Sequence, residues 1–144
     1  MHIRKETATD YKAVYSVVKR AFESAEHADG NEQDLVNALR KGDFDTFLAL
    51  ITESGLSSWR MLQNVVPAGY THHQEVAVAL ALCERLLGGR GACRVHGGGF
   101  AGTIQAFVPL DMLPAFVSGM EAVAGQGACH VLSFRGAGSV PLVC

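Results

Sequence analysis

The stretch of this sequence whose residue types best suit chemistry is the glycine-rich segment within Ala92–Pro109, ACRVHGGGFAGTIQAFVP. Gly97, Gly98 and Gly99 stand between two apolar, partly β-branched runs. The N–H groups of such bare backbone can bind an anion, for example a phosphate. Alternatively, glycines at positive φ form a turn that lets a neighbouring element approach closely. We favour the turn, because three glycines alone are a weakly specific signal.

The cysteines and histidines suggest a metal site on first inspection. Cys93 and His96 form a C-x-x-H pair, and Cys129-His130 lies on another predicted strand, so four zinc ligands could converge. Positions 93 and 96 differ by an odd number, so side chains of one strand at these positions point to opposite faces. We therefore expect ordinary buried residues and no metal.

Composition narrows the class of protein. The length of 144 residues is that of a single domain. Hydrophobic residues make up 49% of the sequence and charged residues 18%, as in ordinary globular proteins. A net charge of −2 gives no electrostatic case for nucleic acid. No apolar run approaches the roughly 20 residues of a membrane span, and the polar start is unlike a signal peptide. We expect a cytoplasmic protein without membrane partners, whose four cysteines are buried thiols.

Helical periodicity dominates the first ninety or so residues. A short strand is predicted at 2–7, followed by a helix capped by Thr9 or Asp10. A second helix follows an N-cap at Asn31 and ends at Lys41-Gly42. The third starts near Asp43, presents Phe44, Phe47, Leu48 and Ile51 on one face, and is expected to break at Gly55. After a loop at 66–71, a strongly apolar helix at 72–87 ends in paired glycines.

The period then changes to that of strands. ACRVH and TIQAFVP predict an antiparallel hairpin around the glycine loop, with Phe100 in the core. A helix with Pro114 in its first turn follows, then a third strand at 128–134 and a fourth, or a tail, at 139–144. This order predicts an α+β fold with helices packed on one face of a small antiparallel sheet and a helical N-terminal appendage.

From about residue 42 to the end, the sequence resembles the C-terminal domain of a galactokinase of the GHMP small-molecule kinase family. The resemblance is carried by GDFDTFLALITESGLSSW, RVHGGGFAGTIQAFVP and ACHVLSF, which occur in order. It implies a ferredoxin-like domain, and ATP and Mg²⁺ as cofactors of the family's galactose phosphorylation. The family's G-G-G-F-G-G loop corresponds to Gly97, Gly98, Gly99, Phe100, Ala101 and Gly102, with Ala101 in place of one glycine. These loop residues, Ala101 apart, are the implied cofactor-binding positions.

Residues 1–41 resemble a different family. IRKETATDYKAVYSVVKRAFESAEHADGNEQDLVNALRK is similar to the opening strand and helices of GNAT-type acetyltransferases. The chain would then join two partial domains, 1–41 and 42–144, with a seam near Ala38–Asp43. The basic-x-x-Gly-x-Gly/Ala turn that would hold the pyrophosphate of acetyl-CoA does not follow these helices.

Galactokinase chemistry, by resemblance, needs more than a glycine loop. It also needs a sugar-recognition segment of the form R-V-N-L-I-G-E-H-x-D and a phosphate loop, P-x-x-x-G-L-S-S-S-A, and neither is in this sequence. Gly55–Ser58 spells G-L-S-S, but it lies among predicted helices, and Trp59 stands where the next serine should be. We interpret it as a helix break capped by Ser57 or Ser58.

The expected function is therefore a galactokinase-like domain that is inactive alone, with no catalytic residue and no cofactor bound in isolation. Two alternatives remain open: a non-catalytic interaction module that self-associates through an exposed apolar face, and a GNAT remnant that binds a small molecule. The other polar candidates are assigned to solvated positions: Glu26, His27, Asp29, Arg60, His72, His73, Arg85 and Arg90.

Overall fold

The chain has an α+β fold, as the sequence predicts, built from helices and a two-stranded antiparallel sheet. A computed structural model describes residues 7–22, 32–69, 71–100 and 102–133. The helices are α1 (Tyr11–Phe22), α2 (Glu32–Lys41), α3 (Phe44–Ser57), α4 (Glu75–Leu87) and α5 (Leu113–Ala124); the strands are β1 (Ala92–Val95) and β2 (Ile104–Phe107). A 3₁₀ turn at Ala8–Asp10 precedes α1, and a π-helical turn at Ser58–Leu62 extends α3.

Strand β1 is covered by helices on both faces because its side chains alternate. Cys93 and Val95 face α4 and α5, in a cluster with Val65, Val76, Leu80, Cys83, Leu87, Phe116 and Met120. Ala92 faces α2 and α3, in a cluster with Ala38, Phe47 and Ile51. Helices α4 and α5 thus cover one face of the sheet as the prediction requires, and α3 adds a layer on the other face.

Strand β2 repeats this alternation in register with β1. Ala92 pairs with Phe107, and Val95 pairs with Ile104. Phe107 packs edge-on against Phe47 of α3, with ring centroids 4.9 Å apart. Ile104 packs on the α4/α5 side. The hairpin therefore joins the two hydrophobic clusters.

Several predicted helix signals are confirmed. Asp43 caps α3, where its carboxylate accepts a hydrogen bond from the Thr46 N–H at 3.1 Å. Gly88 ends α4 in the left-handed conformation, at φ 55°. Pro114 lies in the first turn of α5. None of the described helices is long and apolar enough to cross a membrane.

The predicted cap of the first helix is wrong by a few residues. The helical region starts with the 3₁₀ turn, and Thr7 is its N-cap. The Thr7 N–H and hydroxyl both donate to the Asp10 carboxylate at 2.8 Å. Asp10 is therefore the last residue of the 3₁₀ turn and accepts hydrogen bonds from the N-cap residue. The Thr9 hydroxyl is hydrogen-bonded to the Thr7 hydroxyl, so Thr9 is not the N-cap.

The predicted break at Gly55 is also wrong. Helix α3 passes through Gly55, which lies against β1: a Cβ there would stand 3.1 Å from the Arg94 Cβ and from the Cys93 carbonyl oxygen. The glycine serves a close helix–strand contact rather than a turn. Phe44, expected on the buried face, is exposed because it is the first residue of α3.

The third predicted strand does not form over its described part, 128–133. Ala128 donates its N–H to the Gly125 carbonyl, and the Cys129 N–H is directed to the Glu121 carboxylate at 3.5 Å. These bonds tie the segment to the end of α5 rather than to a strand. Several predictions concern residues outside the described ranges. They are the strand at 2–7 (except Thr7), the cap at Asn31, the candidates Glu26, His27 and Asp29, and the last predicted strand.

Replacing Leu80 with Ala tests the α4/α5 layer. Leu80 is 5% exposed in the centre of its cluster, so Leu80→Ala should cost about 2–5 kcal/mol of unfolding free energy in urea titrations followed by circular dichroism. Val78 lies on the same helix but is 51% exposed, and Val78→Ala should change stability by no more than about 0.7 kcal/mol. Equal losses for the two variants would mean that α4 faces the sheet differently.

The Asp43 cap predicts a pH dependence. Hydrogen bonds from Thr46 lower the pKa of the exposed Asp43 carboxyl below its usual 3.8. The contribution of the ionised carboxylate to folding stability is therefore fully present above pH 3.8. It is lost as the pH falls through the lower pKa of the folded state. The melting temperature of the wild type should exceed that of Asp43→Ala by a constant margin from pH 7 to 5, and the margin should shrink below pH 4. The melting temperature of Asp43→Asn should exceed that of Asp43→Ala by a margin that does not shrink below pH 4, because the amide oxygen does not titrate.

Candidate functional site

The glycine loop is presented at the tip of the β1–β2 hairpin. The His96 N–H donates to the Thr103 carbonyl at 3.1 Å and closes the base of the loop. Positive φ angles recur along it: 61° at Gly97, 75° at Gly99 and 83° at Gly102. Residues with a side chain rarely adopt these backbone angles, so glycine is favoured at these positions, as the predicted turn requires.

A neighbouring segment does approach the loop closely, and its contact residue is Asn64. The Phe100 N–H donates to the Asn64 carbonyl at 3.1 Å, and the Asn64 side-chain Nδ2 donates to the Gly98 carbonyl at 3.3 Å. A Cβ on Gly99 would overlap the Asn64 carbonyl oxygen and stand 2.7 Å from the Asn64 Cβ. Gly99 is therefore required both by its φ angle and by this contact.

The end of α3 positions Asn64. The helix passes into the π-helical turn at Ser58–Leu62, which ends at Gln63 in the left-handed conformation, at φ 54°. The Gln63 side chain donates to the Arg60 carbonyl at 3.2 Å and holds this ending. Gln63 and Phe100 are the non-glycine residues with positive φ in the described ranges, and both adjoin the Asn64–loop contact. Unusual backbone is thus concentrated at one junction.

Asn64 also carries a buried oxygen without a partner. The residue is 3% exposed, and its Oδ1 meets no hydrogen-bond donor. A buried acceptor left unpaired costs about 1–3 kcal/mol. The two hydrogen bonds that Asn64 makes to the loop, together with the surrounding packing, must offset this cost.

Two backbone N–H groups of the loop donate to acceptors within the chain. The Gly99 N–H donates to the His96 carbonyl at 3.4 Å, and the Phe100 N–H donates to Asn64. In this conformation these two N–H groups are not free to bind a phosphate. The cofactor-binding role that the resemblance implies for Gly97, Gly98, Gly99, Phe100 and Gly102 stays a prediction. The core position predicted for Phe100 is wrong: the left-handed backbone directs its side chain outward, 54% exposed.

Three of the four cysteines predicted to be buried belong to the described residues, and Cys144 lies outside them. Cys83 and Cys93 are buried free thiols, and Cys129 is half-buried against the same cluster. A hydrogen bond with Cys93, and burial, raise the pKa of the Cys83 thiol. His96, three residues after Cys93, is exposed. In the ranges that the structure describes, no three His, Cys, Asp or Glu side chains form a group that could hold a metal.

Arg94 is a polar residue that no sequence motif singles out. It is half-buried between β1 and α3, where its guanidinium donates to the Ser54 hydroxyl and to the Val95 carbonyl at 3.1 Å. Ser54 and Ser58 are buried beside this contact. Arg94 therefore attaches α3 to the outer edge of β1.

The arginine and histidine candidates among the described residues lie on the surface, as expected. The predicted role of Ser57 or Ser58 as an N-cap is wrong, because Ser57 is helical and Ser58 continues into the π-helical turn. Arg90 pairs with Asp111 at 2.8 Å between two exposed side chains, and His73 lies 3.5 Å from the Glu75 carboxylate. Arg60, Arg85 and His72 are exposed.

One open groove runs along α3. It has a volume of about 460 Å³ and lies beside the turn that contains Gly89 and Gly91. Its lining from α3 is mixed: Asp45, Leu48, Ala49, Thr52, Glu53 and Leu56. The groove is separate from the glycine loop.

The chain was compared with known proteins. No model of a known protein family matches it, and no solved structure matches it.

A pair of alanine substitutions tests the Asn64 contact. Gly97 and Gly99 both have positive φ, but a Cβ on Gly97 meets nothing within 4 Å. Gly97→Ala should therefore cost only backbone strain, about 1–2 kcal/mol. Gly99→Ala should cost about 1–3 kcal/mol more, because the new methyl group overlaps Asn64. Chemical denaturation of both variants measures the difference, and equal losses would show that Asn64 does not lie against Gly99.

Proposed function

We propose that this chain is a galactokinase-like sugar-kinase domain that performs no phosphoryl transfer by itself and uses its glycine loop as a structural brace. The observation that carries the proposal is the contact of Asn64 with three successive loop residues, Gly98, Gly99 and Phe100. A loop that served a bound phosphate would keep its N–H groups unpaired and aimed at the ligand. Here two of them are used inside the chain.

The resemblance to galactokinases supports the family part of the proposal. It spans about residues 42–144 and includes the glycine loop and the segments on both sides of it. Phosphoryl transfer depends on positioning and on neutralising charge around the γ-phosphate. The resemblance assigns those tasks to a phosphate loop and a sugar-recognition segment that the 144-residue sequence does not contain. This supports the proposal that the domain has no galactokinase activity by itself.

Two backbone N–H groups of the loop weigh against binding of the ATP and Mg²⁺ that the resemblance implies. The N–H groups of Gly99 and Phe100, the amides closest to the centre of the loop, already have acceptors at His96 and Asn64. We therefore derive no catalytic step through a nucleotide or a metal for this chain. The GNAT-like reading of residues 1–41 remains the weaker alternative and predicts acetyl-CoA as a ligand.

Self-association is the second candidate function, and exposed apolar side chains favour it. The largest exposed fractions belong to Leu110, Leu132, Met61, Val131, Val123 and Phe44. Exposed apolar side chains that gather into one contiguous patch commonly mark contacts with other proteins. We further propose a cytoplasmic location without nucleic-acid partners, on the free thiols of Cys83 and Cys93 and the net charge of −2.

A direct assay tests the proposed lack of activity. The protein is incubated with galactose, Mg²⁺ and ATP, beside an active galactokinase as positive control, and sugar phosphate is measured. We expect no product above the no-enzyme blank. Turnover by this chain would overturn the proposal.

Binding is tested by thermal shift with ATP·Mg²⁺, galactose and acetyl-CoA on the wild type and on Gly98→Ala. A ligand at a hundred times its dissociation constant adds about 2.7 kcal/mol of stability. We expect no shift with any of the three. Gly98 has open space around it, so Gly98→Ala should leave the brace intact. An ATP shift in the wild type that Gly98→Ala abolishes would make the loop a nucleotide site, and an acetyl-CoA shift would favour the GNAT reading.

A further inference from the structure

Two buried cysteine thiols meet where helix α4 packs on strand β1. Cys83 lies on α4, and Cys93 lies on β1, after the turn that follows the helix. Both side chains belong to the hydrophobic cluster between the sheet, α4 and α5. Within this cluster the Cys83 thiol is hydrogen-bonded to Cys93. Packing of a helix on a strand thus holds two nucleophilic groups side by side, and neither has a role in the function proposed above.

The two thiols differ in acidity and in access. Cys83 donates the hydrogen bond, and this contact together with burial raises the pKa of its thiol. Acceptance of the same hydrogen bond lowers the pKa of Cys93. Cys83 is fully buried, whereas Cys93 is 9% exposed. Because the thiolate is the form that oxidants attack, Cys93 is the thiol that reacts first, and Cys83 is already in place beside it.

We propose that Cys83 and Cys93 are a reversible oxidation site, at which hydrogen peroxide forms a disulfide that joins α4 to β1. This inference is independent of the galactokinase resemblance. It also agrees with the proposed cytoplasmic location, because disulfides of cytosolic proteins in mesophiles are usually transient and often sense oxidants.

The reaction has two steps. The Cys93 thiolate attacks one oxygen atom of hydrogen peroxide, the O–O bond breaks, and the other oxygen leaves as hydroxide. This hydroxide takes up the proton that Cys93 had lost, giving water, and Cys93 becomes a sulfenic acid. The Cys83 sulfur then attacks the Cys93 sulfur, the S–S bond forms, and the sulfenic oxygen leaves with the Cys83 proton as a second water. Two thiols are oxidised to one disulfide, and one peroxide is reduced to two waters.

Cys129 provides an internal reference for this proposal. It is the more accessible thiol, since it is half-buried at the border of the same cluster. Burial and the Glu121 carboxylate raise the pKa of Cys129, which disfavours its thiolate. Oxidation governed by thiol contact therefore selects Cys83 and Cys93, whereas oxidation governed by exposure selects Cys129.

The experiment maps the thiols of the wild-type protein after oxidation. The protein is treated with hydrogen peroxide under conditions in which circular dichroism shows that it stays folded. Catalase then stops the reaction, and the protein is unfolded and alkylated with N-ethylmaleimide. Untreated protein takes one label at each of its four cysteines. We expect the oxidised protein to lose two labels and the mass of two hydrogen atoms, and its digest to contain a peptide that links Cys83 to Cys93. Dithiothreitol added before alkylation should restore all four labels.

Two variants serve as controls. Cys129→Ser should yield the same linked peptide at the same peroxide concentration. Cys93→Ser should leave the Cys83 thiol available for labelling after oxidation, and thermal melts establish that both variants are folded.

Three results would overturn the proposal. The first is oxidation of Cys129 while Cys83 and Cys93 both still take the label. The second is a disulfide that joins either of these two cysteines to Cys129 or Cys144. The third is the absence of a Cys83–Cys93 link in the wild type at peroxide concentrations that fully oxidise free glutathione.

Discussion

Burial of β1 on both faces is the constraint on which the rest of this structure depends. A four-residue strand cannot form a core by itself, yet Cys93 and Val95 close one hydrophobic cluster and Ala92 closes the other. Because these residues lie within one four-residue strand, α3 on one side and α4 with α5 on the other are held to the same short segment. Any displacement of β1 would disturb both clusters at once. The glycine loop begins immediately after this strand, so its base is attached to backbone that is packed on both faces.

Close approach of backbone to backbone completes the arrangement. Gly55 lets α3 contact β1, and Gly99 lets the segment after α3 contact the loop. Both contacts depend on the same helix. Helix α3 contacts the sheet at Gly55, and its π-helical extension places Asn64 beside the hairpin tip. The helix thus fixes the strand and the loop relative to each other, and the loop is stiffened by a residue more than thirty positions away in sequence.

Sequence periodicity predicted the elements well where local signals are strong. The Asp43 cap, the end of α4 at Gly88 and the hairpin all follow from patterns a few residues long. The errors have tertiary causes. Gly55 resembles a helix break because nothing local shows that β1 will lie against it. Residues 128–133 have strand propensity, but no strand of the described residues pairs with them. Asn64 could not be found for the same reason: an asparagine after a helix is unremarkable until the hairpin tip is seen to rest on it. Similarly, the outward position of Phe100 depends on its left-handed backbone, which a phenylalanine does not suggest.

In the glycine loop, the N–H groups of Gly99 and Phe100 donate to acceptors of this chain, and we expect them to keep these acceptors when a nucleotide is present. Amide hydrogen exchange measured by NMR tests it most directly. The Phe100 N–H, bonded to the Asn64 carbonyl, should exchange slowly in the free protein, and neither its protection nor its chemical shift should change when ATP·Mg²⁺ is added. A Phe100 amide that exchanges as fast as an unpaired one, and becomes protected only with ATP·Mg²⁺, would contradict the account.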